Sequence, residues 1–159
     1  MAWHLDAIGA RSAWRASLGA GVTVAVVDTG VDATHPDLAG QVIEGATCLD
    51  TRDGAADCDE GAADPDGHGT HVAGLIAARA DNGVGSAGVA PRSRLLAVRA
   101  AEKRCEGSAT CLASASASDL AAGIDWAVSR GADIINVSID PGLRTPAAVV
   151  DAIDHAWEK

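Results

Sequence analysis

No stretch of this 159-residue chain is apolar for long enough to cross a membrane, so no membrane span is expected. Its first residues, Met1-Ala2-Trp3-His4, lack the basic and apolar regions of a secretory leader; if the protein is exported, its signal is expected outside this sequence. Positive charge is scarce. Twelve Lys and Arg stand against 22 Asp and Glu, a formal charge of −10. A phosphate-binding surface needs the opposite balance, which argues against a nucleic-acid partner. No C-x-x-C pair is present, so a zinc site is not expected among the cysteines. Repeats, linkers and compositional breaks are also missing, and the length suits at most one domain.

What is present is globular. Hydrophobic residues make up 48% and charged residues 21% of the chain, which does not suit disorder. The acidity is local: Glu44 to Asp66 holds eight acidic residues and one basic one, Arg52. That stretch reads as a solvated loop, or as a loop whose oxygens hold a hard cation such as calcium. Cys48, Cys58, Cys105 and Cys111 all lie in polar, loop-like stretches, and an even count there suits disulfides in an oxidising compartment. Pairing Cys48 with Cys58 and Cys105 with Cys111 needs only local loops. Cross-pairing needs the two loops to be neighbours, and free thiols are a further alternative.

Hydrophobic periodicity predicts alternating strands and helices. Leu5 to Leu18 reads as a short amphipathic helix, with Leu5, Ile8, Ala13 and Trp14 near one face and Gly19 and Gly21 ending it. Val22 to Val27 is β-branched and almost wholly apolar, as in a strand buried on both faces, and Asp28 stands at its carboxyl end. Gly40 to Gly67 is loop-like, with a short strand at Val42-Ile43. His68 opens a helix in which His71, Val72, Leu75 and Ile76 are helically spaced, and Asp81-Asn82-Gly83 follows it. Leu95 to Val98 is a second buried strand. Ser116 or Ser118 caps a helix to Arg130, with Gly131 beyond it. Asp133 to Ile139 is a third strand, also expected to be buried. Thr145-Pro146 opens a last helix as N-cap and first helical residue. Such alternation implies an α/β fold with a parallel sheet and helices on both faces.

Asp28 and His68 suit one another chemically. A buried aspartate accepts the Nδ1–H of a histidine and fixes its tautomer, leaving Nε2 to take a proton from a nucleophile. The carboxylate also favours the imidazolium that forms during acyl transfer. Val24-Ala25-Val26-Val27-Asp28-Thr29-Gly30-Val31-Asp32, with His35-Pro36-Asp37-Leu38 after it, resembles the aspartate motif of subtilisin-like serine proteases. Asp66-Gly67-His68-Gly69-Thr70-His71-Val72-Ala73-Gly74 resembles that family's histidine motif. Gly88-Val89-Ala90-Pro91, the strand to Arg99, and Asp133 to Ser138 are similar to further segments in the same order. The resemblance covers nearly the whole chain. It implies a three-layer subtilisin-like α/β fold, here its N-terminal half, with Asp28 as the orienting acid and His68 as the general base. The expected reaction is serine-type endopeptidase hydrolysis of a polypeptide substrate, in a secreted or cell-envelope setting. His71 is expected to face the core or a neighbouring loop rather than substrate.

The departures from the family are informative. Its nucleophile lies in a downstream Gly-Thr-Ser-x-Ala segment, and Ser86, Ser93, Ser108, Ser114, Ser116 and Ser118 all lack that context. Its oxyanion asparagine lies in Ala-x-Gly-Asn, which neither Asn82 nor Asn136 matches. Both groups are therefore expected outside this chain, with the missing C-terminal half a candidate partner. The substrate-pairing strand ends Ser138-Ile139-Asp140 where the family has Ser-Leu-Gly, so Asp140 either charges the subsite floor or turns outward. The resemblance also implies a structural calcium ion held by Asp37, Asn82 and carbonyls near Ala80, Val84 and Ser86. The cysteine loops resemble those of mycosin-type members. Two other enzyme readings are weaker. An aspartic protease needs two Asp-Thr-Gly aspartates, and the spacing of His68 and His71 is not the i, i+4 zincin arrangement. A catalytically silent fragment or pseudoprotease, acting as a binding or complementing module, is the alternative function. Asn136-Val137-Ser138 is a glycosylation sequon that its expected burial would keep unused.

Overall fold

The apolar run after Gly21 forms strand β1, Thr23–Asp28, inside a five-stranded sheet. The computed structural model describes residues 3–52, 54–106, 110–139 and 145–159. The remaining strands are β2 (Val42–Thr47), β3 (Asp59–Glu60), β4 (Arg94–Arg99), β5 (Glu102–Glu106), β6 (Thr110–Ser114) and β7 (Ile134–Val137). The main sheet has the order β3-β2-β4-β1-β7 and is parallel except for the short antiparallel β3. Strands β5 and β6 form a separate antiparallel hairpin.

Helices cover both faces, and this is why β1 and β4 are apolar at every position between their end residues. The helices are α1 (Trp3–Ala7), α2 (Ala10–Ala13), α3 (His68–Ala77), α4 (Ala117–Ser129) and α5 (Ala147–Trp157). Ala25, Val27, Leu96 and Val98 face the layer of α4 and α5, where they meet Leu120, Ile124, Trp126 and Val149. Val24, Val26, Leu95 and Ala97 face the α3 layer, with Ala73, Ala77, Val31 and Leu38. Alternate residues thus feed two cores. Each buried Val or Leu contributes about 1.5–3 kcal/mol through lost apolar hydration.

Several expectations are corrected. The first helix is broken: Gly9 adopts φ 73°, the left-handed region open to glycine, so α1 ends and α2 starts afresh. Leu5 and Ala10 are buried whereas Ile8 is exposed. The stretch from Gly40 is more than a loop. It forms β2 over six residues, paired with β4, and a 3-10 turn over Gly54–Asp57. In α3 the buried face is Gly69, Ala73 and Ala77, not the larger residues; Leu75 is 44% exposed. The last helix is capped by Pro146 rather than Thr145. Strand β7 is an edge strand, with Ile134 54% and Val137 39% exposed. Asn136 is therefore only half-buried, and its amide donates to Ser138 Oγ at 2.9 Å.

Cys48 and Cys58 are joined by a disulfide, which excludes cross-pairing between the two cysteine loops. Cys48 is fully buried in the α4 core. Closing so short a loop removes about 2–3 kcal/mol of unfolded-chain entropy. Cys105 and Cys111 occupy opposed register positions of the β5–β6 hairpin. On the same side of the molecule Thr51 donates from N (2.8 Å) and Oγ1 (2.9 Å) to Asp119, fixing the residues after Cys48 to the start of α4.

Candidate active site

Asp28 ends β1 at the carboxyl edge of the parallel sheet and is fully buried. The backbone N–H groups of Ala100 and Ala101 donate to its carbonyl, pinning the strand end beside β4. His68 is the first residue of α3. The two side chains meet: His68 Nδ1 lies 2.7 Å from Asp28 Oδ1, which also accepts the Thr29 N–H at 2.7 Å. The carboxylate is acceptor-only, so Nδ1 carries the proton and Nε2 is the basic nitrogen. The His68 side chain is 42% exposed. None of the hydrogen bonds of the described residues reaches Nε2.

That approach depends on Gly69. A Cβ there would collide with the carbonyl oxygen of Gly30 and stand 3.1 Å from both Cβ and Oδ1 of Asp28. The lack of a side chain lets the first turn of α3 rest against the β1 end. Its N–H donates to Thr29 Oγ1 at 2.9 Å.

The hydrogen bond to Asp28 raises the His68 imidazole above its ordinary value; burial works the other way, and the charges of Asp28, Asp66 and Asp64 add to the rise. The pair therefore stabilises the fold fully below pH 6.5, the ordinary imidazole value, and that contribution is lost as pH climbs through the raised one. Lys103 of the β5–β6 hairpin reaches Asp66 at 3.6 Å, an exposed contact worth less than about 1 kcal/mol.

The other site residues fall in three groups. Register between Val27 and Val137 puts Ser138 and Ile139 just past β7 at the same sheet edge as Asp28. Ser138 is exposed and Ile139 is 7% exposed, while Asp140 lies outside the described residues. Of the serines considered, Ser93 Oγ donates to the Ala90 carbonyl and Ser116 Oγ caps α4 through Asp119 N, while Ser108 lies outside the described residues. His71 is exposed and lines an open groove with His4, His35 and Ser86, on the neighbouring-loop side.

Asp37 and Asn82 do come together, as a hydrogen-bonded pair. Asn82 Nδ2 donates to Asp37 Oδ1 at 2.8 Å and Ser86 N to Oδ2 at 3.3 Å. The amide oxygen of Asn82 is occupied by the Val84 N–H at 3.1 Å. Both carboxylate oxygens of Asp37 thus accept N–H donors in this arrangement.

Asp64 joins the site although little in its local sequence stands out. It sits in the acidic stretch that reads as solvated, yet it is turned inward to Thr29, Gly67 and Thr70. Its position four residues before His68, ahead of a helix start, was the available signal.

A mostly parallel sheet covered on both faces, with an aspartate and a histidine meeting at its carboxyl edge, is the frame of the subtilisin-like proteases. The subtilase family model matches residues 19–158, and the chain belongs to that family. It is 42% identical over 148 residues to the thermophilic serine proteinase of Bacillus sp. (strain AK1), covering 92% of this chain and 33% of that protein. Thermitase of Thermoactinomyces vulgaris is 37% identical over 152 residues, covering 96% and 49% respectively. Among solved structures, the MycP3 protease from the type VII (ESX-3) secretion system superposes with a TM-score of 0.71 at 34% identity, over 96% of this chain and 42% of that one. The chain thus spans less than half the length of these relatives.

Proposed function

We propose that this chain supplies the acid–base half of a serine endopeptidase site. The 2.7 Å hydrogen bond from His68 Nδ1 to the wholly buried Asp28 carries the reading. His68 Nε2 takes the proton of a serine hydroxyl as that oxygen attacks the scissile carbonyl, then returns it to the leaving amine. Asp28 holds the tautomer and stabilises the imidazolium between the two transfers. The serine and the oxyanion donor come from sequence outside these 159 residues. Ser138 and Ile139 pair with the backbone of a polypeptide substrate, and Asp140, which follows them in the sequence, bears on the same subsite. The Cys48–Cys58 disulfide favours an exported protein working in an oxidising compartment.

A second reading is a catalytically silent module that complements another chain. The exposed apolar residues Ile134 and Val137 on the β7 edge favour it. A fluorophosphonate probe tests the first reading. The 159-residue chain alone is expected to remain unlabelled. Labelling that requires His68 is expected once a chain carrying the Gly-Thr-Ser segment is added. Labelling of the chain alone would place a nucleophile inside it and overturn the proposal. Assembly without labelling would favour the silent module.

A further inference from the structure

We propose that Asp64 is a positioning residue of this site: its carboxylate clamps the end of β1 to the start of α3 and so sets the geometry between Asp28 and His68. The inference rests on the reading of those two residues as an acid–base pair. Asp64 Oδ1 accepts from Thr29 Oγ1 at 2.8 Å, from Gly67 N at 2.9 Å and from Asp66 N at 3.2 Å. Oδ2 accepts from Thr70 N at 2.8 Å and from Thr70 Oγ1 at 2.5 Å.

Both hydroxyls pass the constraint onward. Thr29 Oγ1 accepts the Gly69 N–H at 2.9 Å, and Thr70 Oγ1 accepts the Asp32 N–H at 2.9 Å. Thr29 follows Asp28 in the chain, and Gly69 and Thr70 follow His68. One carboxylate therefore fixes the backbone just beyond both reacting residues, on two elements that no local turn joins.

The chemistry of the cluster calls for an ionised carboxylate. Each hydroxyl has a single proton, and a backbone N–H already holds a lone pair of each, so each directs its proton at Asp64. The group receiving them must accept on both sides. Asparagine would aim an NH₂ either at Thr29 and Gly67 or at Thr70. Burial works to raise Asp64, but the hydrogen bonds from Thr70, Gly67 and Thr29 outweigh it and hold the carboxyl below its ordinary value.

A plain helix cap predicts something different: loss of stability in an Asp64 variant with His68 untouched. Proton–nitrogen NMR of the 159-residue chain separates the two. The native chain is expected to show a far-downfield, slowly exchanging His68 Nδ1–H and an imidazole titrating above its ordinary value. Asp64→Asn is expected to lose that resonance while circular dichroism keeps the native spectrum. Removing the charge also lowers the imidazole through space, so Thr29→Val provides the charge-neutral control. It cuts the hydroxyl link between Asp64 and Gly69 and is expected to broaden or erase the same resonance. If Asp64→Asn fails to fold, Thr29→Val decides: loss of the resonance supports the clamp, and retention overturns it. If both variants fold and keep the native resonance, Asp64 is a cap only and the proposal falls. A native chain without the resonance would instead overturn the Asp28–His68 reading itself.

Discussion

With His68 replaced by alanine, an enzyme assembled around this chain is expected to lose peptide-bond hydrolysis by about 10⁶-fold in kcat. The scale is subtilisin's own, where removing the histidine alone costs about as much as removing the whole triad. The reason is that the three groups act as a unit. Without Nε2 the serine stays protonated, and the remaining carboxylate has nothing to orient. The KM should change little, because the imidazole handles a proton and does not bind the substrate's backbone. The side chain is 42% exposed, so its truncation leaves no core cavity, and the fall in melting temperature should be confined to the lost hydrogen bond to the buried Asp28 carboxylate. Steady-state hydrolysis of a chromogenic peptide, alongside a thermal melt, checks both. Full activity in the variant would remove His68 from the role of base.

Gly69→Ala should have the second-largest effect, because it acts on the same pair through the backbone. Two terms oppose each other. Alanine inside a helix is favoured over glycine by about 1 kcal/mol. Against this, the new Cβ meets the carbonyl oxygen of Gly30, which belongs to the main chain and cannot rotate out of the way. Overpacking of this kind costs about 1–3 kcal/mol. The steric term wins unless α3 moves off β1, and moving α3 carries His68 with it. A displacement of about 1 Å at the reacting groups costs about 10²-fold in rate. The expected result is lower stability in urea together with at least that loss in kcat. A variant as stable as the native chain, and as active in the assembled enzyme, would show that α3 has room to carry a side chain against Gly30.

The parts of the molecule governed by strong local signals were legible in the sequence. Val22 to Val27 could only be a strand buried on two faces, and the helix from Ser116 carried both its cap and its terminal glycine. The Asp28–His68 pair was legible because a motif fixes each residue to the start or end of an element. The remaining elements are decided by distant neighbours. Glu44-Gly45-Ala46-Thr47 has weak strand character and extends only because β4 lies alongside it. The hairpin over β5 and β6 is polar and rich in small residues, with no alternation to betray it. In α3 the larger residues gave the period but not the buried face, since the close approach to the sheet selects Gly69, Ala73 and Ala77. Asp64 was hidden by its company. Seven other acidic residues share its stretch, and only tertiary donors distinguish a clamped carboxylate from a solvated one.

The place of β1 in the sheet has a consequence for the order in which the molecule can be made. Val24 pairs with Leu95 on one side and with Ile134 on the other. Among the described strands of the sheet, the one that ends in Asp28 is thus the first to leave the ribosome and among the last to be flanked. Both of its ladders close long loops of chain, and such non-local pairing is slow to form. Through most of synthesis its apolar residues have no lasting partner, so this is the segment most in need of protection from premature association.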